Sequence, residues 1–88
     1  MAEKNSDETA WCVYMLECND KTLYTGVTNN IENRLHQHNY GQVGAKYTRA
    51  RRPVKLVYTE AQENKSEAMK REHVIKKLTR TEKIQLIK

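Results

Sequence analysis

Reading from the first apolar residues, Trp11 to Cys18 (WCVYMLEC) is an aromatic and β-branched run of strand length, and Thr22 to Val27 (TLYTGV) is a second, shorter one. Asn19-Asp20-Lys21 between them is turn-like, so the pair predicts a β-hairpin. From Asn29 to Asn39 the spacing changes. Ile31 and Leu35 stand at helical spacing, Thr28 offers an N-cap and Gly41 a stop, which predicts the first helix. Gly44 to Arg52 reads as a basic loop, and Pro53 opens a third strand, Val54 to Tyr58. Ser66 with Met69 begins a helix that runs to about Leu78, and Thr79 to Lys88 forms a last short helix with Ile84 and Ile87 facing inward. The order β-β-α-β-α-α predicts an α/β protein of the α+β kind, with a small three-stranded antiparallel sheet flanked by helices. So narrow a sheet needs that cover to be stable.

At 88 residues the chain is long enough for one compact domain and too short for two, so chemistry and target recognition share one small body. Residues 1 to 9 are polar, mixed in charge and without periodicity, which predicts a disordered tail ahead of a single domain over 10 to 88. No run of about 18 apolar residues could span a bilayer, and the opening residues lack the apolar stretch of a secretory signal. A soluble, cytoplasmic protein with no membrane partner is expected. Cys12 and Cys18 lie in one predicted strand, roughly 20 Å apart if extended and beyond disulfide reach, and they read as buried thiols. A cysteine metal site would need closer spacing and further ligands.

Charge changes the picture more. The net charge is +5, yet residues 1–45 carry three Lys or Arg against six Asp or Glu, whereas 46–88 carry thirteen against five. A one-sided positive surface favours a polyanionic partner such as nucleic acid. Lys-rich helices that only keep a small domain soluble would produce the same imbalance.

Three features could carry chemistry. With a three-residue hairpin loop, Cys18 faces Thr22, Leu16 faces Tyr24 and Tyr14 faces Gly26. Tyr14 and Tyr24 then share a face as diagonal neighbours, with Cβ atoms roughly 7 Å apart. The glycine opposite Tyr14 leaves its ring open to approach. A two-residue turn would separate the tyrosines, and either one alone reads as half-buried packing. On the first helix, Asn30, Arg34 and His38 form a ridge beside Ile31 and Leu35. Arg suits phosphate and His moves protons near neutral pH, although a solvated polar flank has the same pattern. His36 and His73 read as surface residues. Glu72 has Ala68, Met69 and Ile75 as angular neighbours, so its carboxylate points into or beside an apolar stripe. It then needs a divalent cation or Arg34 as partner, or it leans out to pair with Lys76.

These residues, in this order, resemble the GIY-YIG nuclease domain. Cys12-Val13-Tyr14 is similar to the first tripeptide and Tyr24-Thr25-Gly26 to the second, with the tyrosines ten apart. Arg34 stands in the place of the family's helix arginine, His38 in that of the histidine many members carry, and Glu72 in that of the metal-binding glutamate. The resemblance covers about residues 10 to 80 and is greatest to small stand-alone bacterial members of largely unknown function. Cys12 departs from the motif glycine, and Val13 and Thr25 from its isoleucines, all with strand-compatible side chains.

The resemblance implies metal-assisted hydrolysis of a phosphodiester. Glu72 would hold one Mg²⁺ or Mn²⁺, and Arg34 would bind the scissile phosphate. Tyr14 would be the general base toward water, with Tyr24 beside it or sharing that role, and His38 would assist the proton transfer or contact phosphate. A phenol is a poor base at its ordinary pKa of about 10, so nearby positive charge must lower it. Lys46, Arg49, Arg51 and Arg52 would track the nucleic-acid backbone, and Tyr47 would stack on a base. DNA is expected ahead of RNA, in repair or processing, with a protein partner for targeting. Two other readings stay open: a nucleic-acid-binding module of the same fold with weak or no cleavage, and a protein-interaction domain whose lysines only confer solubility.

Overall fold

The hairpin turn is set by Lys21, whose φ of 72° places it in the left-handed region. The Lys21 N–H donates to the Cys18 carbonyl and the Cys18 N–H to the Thr22 carbonyl, both at 2.9 Å, closing the three-residue loop. That loop sets the register of β1 (Trp11–Glu17) on β2 (Leu23–Thr28): Tyr14 lies opposite Gly26 and Leu16 opposite Tyr24, as the loop length predicts. The computed structural model describes residues 10–41 and 46–88, so the expected tail over 1 to 9 lies outside the described residues.

The remaining elements are α1 (Ile31–Tyr40), α2 (Lys46–Arg49), β3 (Lys55–Gln62), α3 (Lys65–Lys76) and α4 (Arg80–Ile87). The sheet is antiparallel with order β2-β1-β3, which is the expected architecture. Its central strand is buried on both faces. Val13 and Met15 pack with Ala68 and Ile75 of α3, together with Leu86 and Ile87 of α4. On the other face Tyr14, Leu16 and Cys18 pack with Val54 and with Ile31 and Leu35 of α1. Fully burying side chains of this size stabilises by about 1.5–3 kcal/mol each, so β1 is the main source of the fold's cohesion. Among the described residues no helix is long and apolar enough to cross a membrane.

Several local expectations need correction. The N-cap of α1 is Asn30, whose side chain accepts from the Asn33 N–H, while Thr28 Oγ1 accepts from the Asn30 N–H instead. The helix therefore starts two residues later than expected. β3 continues to Gln62, beyond Tyr58, because β1 extends back to Trp11 and offers it partners. A bulge between Met15 and Leu16 takes up one extra β3 residue, Val57. Within the expected basic loop, Gly44 and Ala45 lie outside the described residues, and Lys46–Arg49 forms one helical turn. Asn64 caps α3, and Thr79 with Glu82 forms a capping box at α4.

The Asn39 side chain ties α1 to the approach of β3, accepting from the Val54 N–H at 2.8 Å and donating to its carbonyl at 3.0 Å. This bond holds α1 over the Tyr14 face. On the opposite face Thr25 is buried, and its hydroxyl has no hydrogen-bond partner among the described residues. An orphaned hydroxyl costs about 1–3 kcal/mol. Thr25→Val should therefore raise the denaturation midpoint by the equivalent of about 1 kcal/mol. Gly26→Ala should act in the opposite direction, since its Cβ would meet the Tyr14 hydroxyl at 2.6 Å. Tyr14 is 1 % exposed and cannot swing into solvent without emptying its site. A loss of about 1–3 kcal/mol is expected from the overpacking, read by urea unfolding.

Candidate active site

Tyr14 and Tyr24 project from one face of the hairpin because they sit at diagonal positions of the register, and their ring centroids are 6.4 Å apart. The space above Gly26 is filled by the Tyr14 ring itself, so the ring is not open to approach as the glycine suggested. His38 enters from the last turn of α1. It is 0 % exposed, whereas the helical pattern placed it on a border between core and solvent. Its Nε2 lies 2.7 Å from the Tyr14 hydroxyl and its Nδ1 2.7 Å from Thr48 Oγ1, with Thr48 also 0 % exposed. The Tyr24 ring meets His38 edge-on at 5.2 Å.

Arg34, one turn before His38, is half-buried and directs Nη1 to Gln37 Oε1 at 3.0 Å. Its positive charge also acts on the Tyr14 phenol. Burial pushes the Tyr14 pKa up to about 12, against the lowering effect of the nearby Arg34 guanidinium, with the charges of Tyr24 and Glu72 adding to the rise. Tyr14 is therefore a protonated phenol at neutral pH. Burial first, and then the positive charges of Arg34 and Arg52, push His38 down to about 4. It is a neutral imidazole at neutral pH.

Glu72 comes from α3, which packs across β1 and β2, and its charge is felt at Tyr14. Its side chain is 18 % exposed, and Oε2 is 3.1 Å from Lys76 Nζ, so the i+4 ion pair forms at a mostly covered carboxylate. Among the described residues no group of three His, Cys, Asp or Glu is placed to hold a metal ion. A divalent cation at Glu72 would thus have one protein carboxylate and complete its shell with water and phosphate oxygens, a donor set that suits Mg²⁺ or Mn²⁺. The half-exposed Lys76 would have to turn away, which its long side chain allows.

The basic segment after α1 comes to the rim of this site. Thr48 contacts His38, and Tyr47 stacks on Tyr24 with centroids 6.0 Å apart and planes 24° apart. Lys46 and Arg49 are exposed. Arg51 is engaged within the protein: Nε donates to Asp20 Oδ2 at 3.0 Å, Nη1 to the Tyr47 carbonyl at 2.9 Å, and the guanidinium lies 3.9 Å over the Tyr47 ring. Arg52 donates to the carbonyls of Gln37, His38 and Gly41, closing the C-terminal end of α1. Sequence reasoning placed both arginines on a nucleic acid and missed these acceptors. It also missed Thr48, which no spacing rule marks, and Gln37, which a partner search three residues from Arg34 would have found.

Cys18 is buried, and Cys12 is half-buried on β1. The bulk of Cys12 in place of a glycine is therefore accommodated without breaking the strand.

The model of the GIY-YIG catalytic domain matches residues 10–85. The chain belongs to the GIY-YIG family. Its relatives include a UPF0213 protein of Syntrophus aciditrophicus, 63 % identical over 76 residues, covering 86 % of this chain and 87 % of the relative. A UPF0213 protein of Clostridium perfringens is 64 % identical over 75 residues, covering 85 % and 80 %. The solution structure of a UPF0213 protein of Bacillus halodurans is similar with a TM-score of 0.56 and 47 % identity, covering 88 % of this chain and 81 % of that one. That of an E. faecalis protein gives 0.59 and 46 %, covering 88 % and 80 %. Membership of the GIY-YIG family places the chain in a nuclease superfamily, and the names of these relatives carry no specific activity.

Burying His38 neutral makes stability depend on pH. Its pKa falls from the ordinary 6.5 to about 4 on folding, so the native state binds fewer protons than the unfolded chain between those values. The stabilisation is complete above about pH 6.5 and is lost as pH falls toward 4, on the order of 3 kcal/mol in all. Denaturation of the wild type and of His38→Gln at pH 7 and pH 4.5 measures it. The wild type should lose clearly more stability over that interval, and equal losses would mean that His38 titrates in water.

Proposed function

We propose that this chain is a divalent-metal-dependent endonuclease that hydrolyses phosphodiester bonds of DNA. The observation that carries this reading is the convergence on one buried phenol, Tyr14 of β1, of a neutral histidine and an arginine from α1 and the charge of a carboxylate from α3.

Arg34 would bind the scissile phosphate and hold it next to the Tyr14 hydroxyl, where a water can be deprotonated in line with the phosphorus. With its pKa near 12 the phenol is not present as an anion, so it acts by relay. The water gives a proton to the Tyr14 oxygen as the Tyr14 proton passes to His38 Nε2, the new P–O bond forms, and the bond to the 3′ oxygen breaks. Burial first, and then the charges of Arg34 and Arg52, make His38 a weak acceptor. A bound phosphate offsets the Arg34 charge and strengthens it, which ties the base to the presence of substrate. Glu72 would hold a Mg²⁺ or Mn²⁺, which would supply positive charge toward the phosphate and the leaving oxygen. Lys46 and Arg49, exposed on α2 beside Thr48, would meet flanking phosphates. Arg51 supports Tyr47, and Arg52 supports α1. A role in DNA repair or processing, with targeting by a protein partner, fits so small a body.

The Lys76 ammonium on Glu72 favours a second reading, a nucleic-acid-binding module with weak or no cleavage, because the metal must displace it. Incubation of the purified chain with single-stranded, duplex and flapped DNA and RNA, with Mg²⁺ or Mn²⁺, decides between them. Metal-dependent cutting that falls by at least about a hundredfold in Glu72→Gln is expected. Salt-sensitive binding with no cutting by either protein would leave the binding module.

A further inference from the structure

We infer that Thr48 is a positioning residue of this site: it holds His38 in the Nδ1–H tautomer, so that a bare Nε2 faces the Tyr14 hydroxyl.

Both neighbours of the imidazole are hydroxyls, each able to donate or accept, so the direction of the chain must come from counting protons. His38 is fully buried beside two arginines and is neutral, which leaves it one N–H and one lone pair. The Tyr14 oxygen faces the positive charge of the Arg34 guanidinium, which favours a lone pair there over a second donor. If His38 Nε2–H donated to that oxygen, the phenol proton would need a different acceptor. Tyr14 is 1 % exposed and has none among the described residues. If the phenol donates to Nε2, every proton has a partner. The remaining N–H then sits on Nδ1 and can only go to Thr48 Oγ1, 2.7 Å away.

A histidine free in water favours the opposite tautomer, with the proton on Nε2, so the site needs an acceptor at Nδ1 to reverse that preference. Thr48 provides it from α2, a turn whose other visible task is to carry Tyr47 onto Tyr24. In a proton-transfer step the Tyr14 O–H bond breaks and an Nε2–H bond forms, giving an imidazolium that keeps its Nδ1–H on Thr48. No oxidant or further reactant is required. With the other tautomer Nε2 carries a proton already, and the phenol has nowhere to send its own.

This role in catalysis rests on the nuclease reading, but the tautomer does not, and the two are measured separately. The ring nitrogens of His38 are read by ¹⁵N NMR on the metal-free protein at pH 7, without substrate. In the wild type Nδ1 should show the shift of a protonated nitrogen and Nε2 that of a bare one. Thr48→Ser should preserve that pattern. Thr48→Val, of nearly the same shape, and Thr48→Ala, which cannot overpack, should each move the proton to Nε2. Finding the wild type already protonated on Nε2, or either acceptor-free variant unchanged, overturns the inference. If DNA is cut, Thr48→Val should lower kcat at least about tenfold with KM nearly unchanged, and Thr48→Ser should restore it. If the wild type cuts nothing, the nuclease reading fails while the spectra still decide the tautomer.

Discussion

The contact between the Tyr14 ring and the bare Cα of Gly26 holds the largest buried side chain of the site flat against the neighbouring strand. A side chain at position 26 would lift the ring, and the ring's hydroxyl is what meets His38. His38 in turn accounts for the way α1 and the following basic segment lie. The helix must come close enough to bury an imidazole, and α2 must bring Thr48 to its far nitrogen. Arg52 then seals the same end of α1 by taking up its last carbonyls, and Asn39 ties that end to Val54. Packing and polar satisfaction therefore point the same way through four elements, which is the consistency expected of a sequence with one native state.

The electrostatics of the site are a balance of opposed tendencies. Burial keeps both Tyr14 and His38 neutral, raising one pKa and lowering the other, while Arg34 pulls each toward the less protonated form. Glu72 opposes Arg34 at Tyr14 from the other side. In the proposed reaction the phosphate would bind at Arg34 and the divalent cation at Glu72, on opposite sides of Tyr14. Each charge already has a side-chain neighbour: Gln37 at Arg34 and Lys76 at Glu72. Such pairs near the surface are worth at most about 1 kcal/mol, so charged ligands can replace them.

The opposite face of the sheet has a different task. It carries the apolar contacts of α3 and α4 and takes no part in the polar chain, apart from delivering Glu72 on the border of α3. Arg71 of the same helix bonds Glu60 of β3 at 2.8 Å and holds α3 against that edge of the sheet.

Much was legible in the chain alone, for local reasons. A three-residue loop dictates which residues face one another, so the Tyr14–Gly26 and Leu16–Tyr24 pairs followed from counting, and the strand and helix order followed from apolar spacing. The motif spacing led correctly to the GIY-YIG family. The tertiary structure decided what depends on segments distant in sequence. His38 sits on the polar edge of its helix by periodicity, and it is fully buried in the structure, where Thr48, ten residues on, closes over it. Arg51 and Arg52 carry the charge expected of a nucleic-acid contact, and part of each guanidinium also bonds within the protein, to Asp20 and the Tyr47 carbonyl and to the end of α1, acceptors that no local pattern brings near. Glu72 meets both the surface reading and the buried one, because a carboxylate at the border of a packed helix can reach Lys76 and still be felt at Tyr14. Sequence periodicity reports which side of an element is apolar; which polar groups are shut away from water depends on what folds over them.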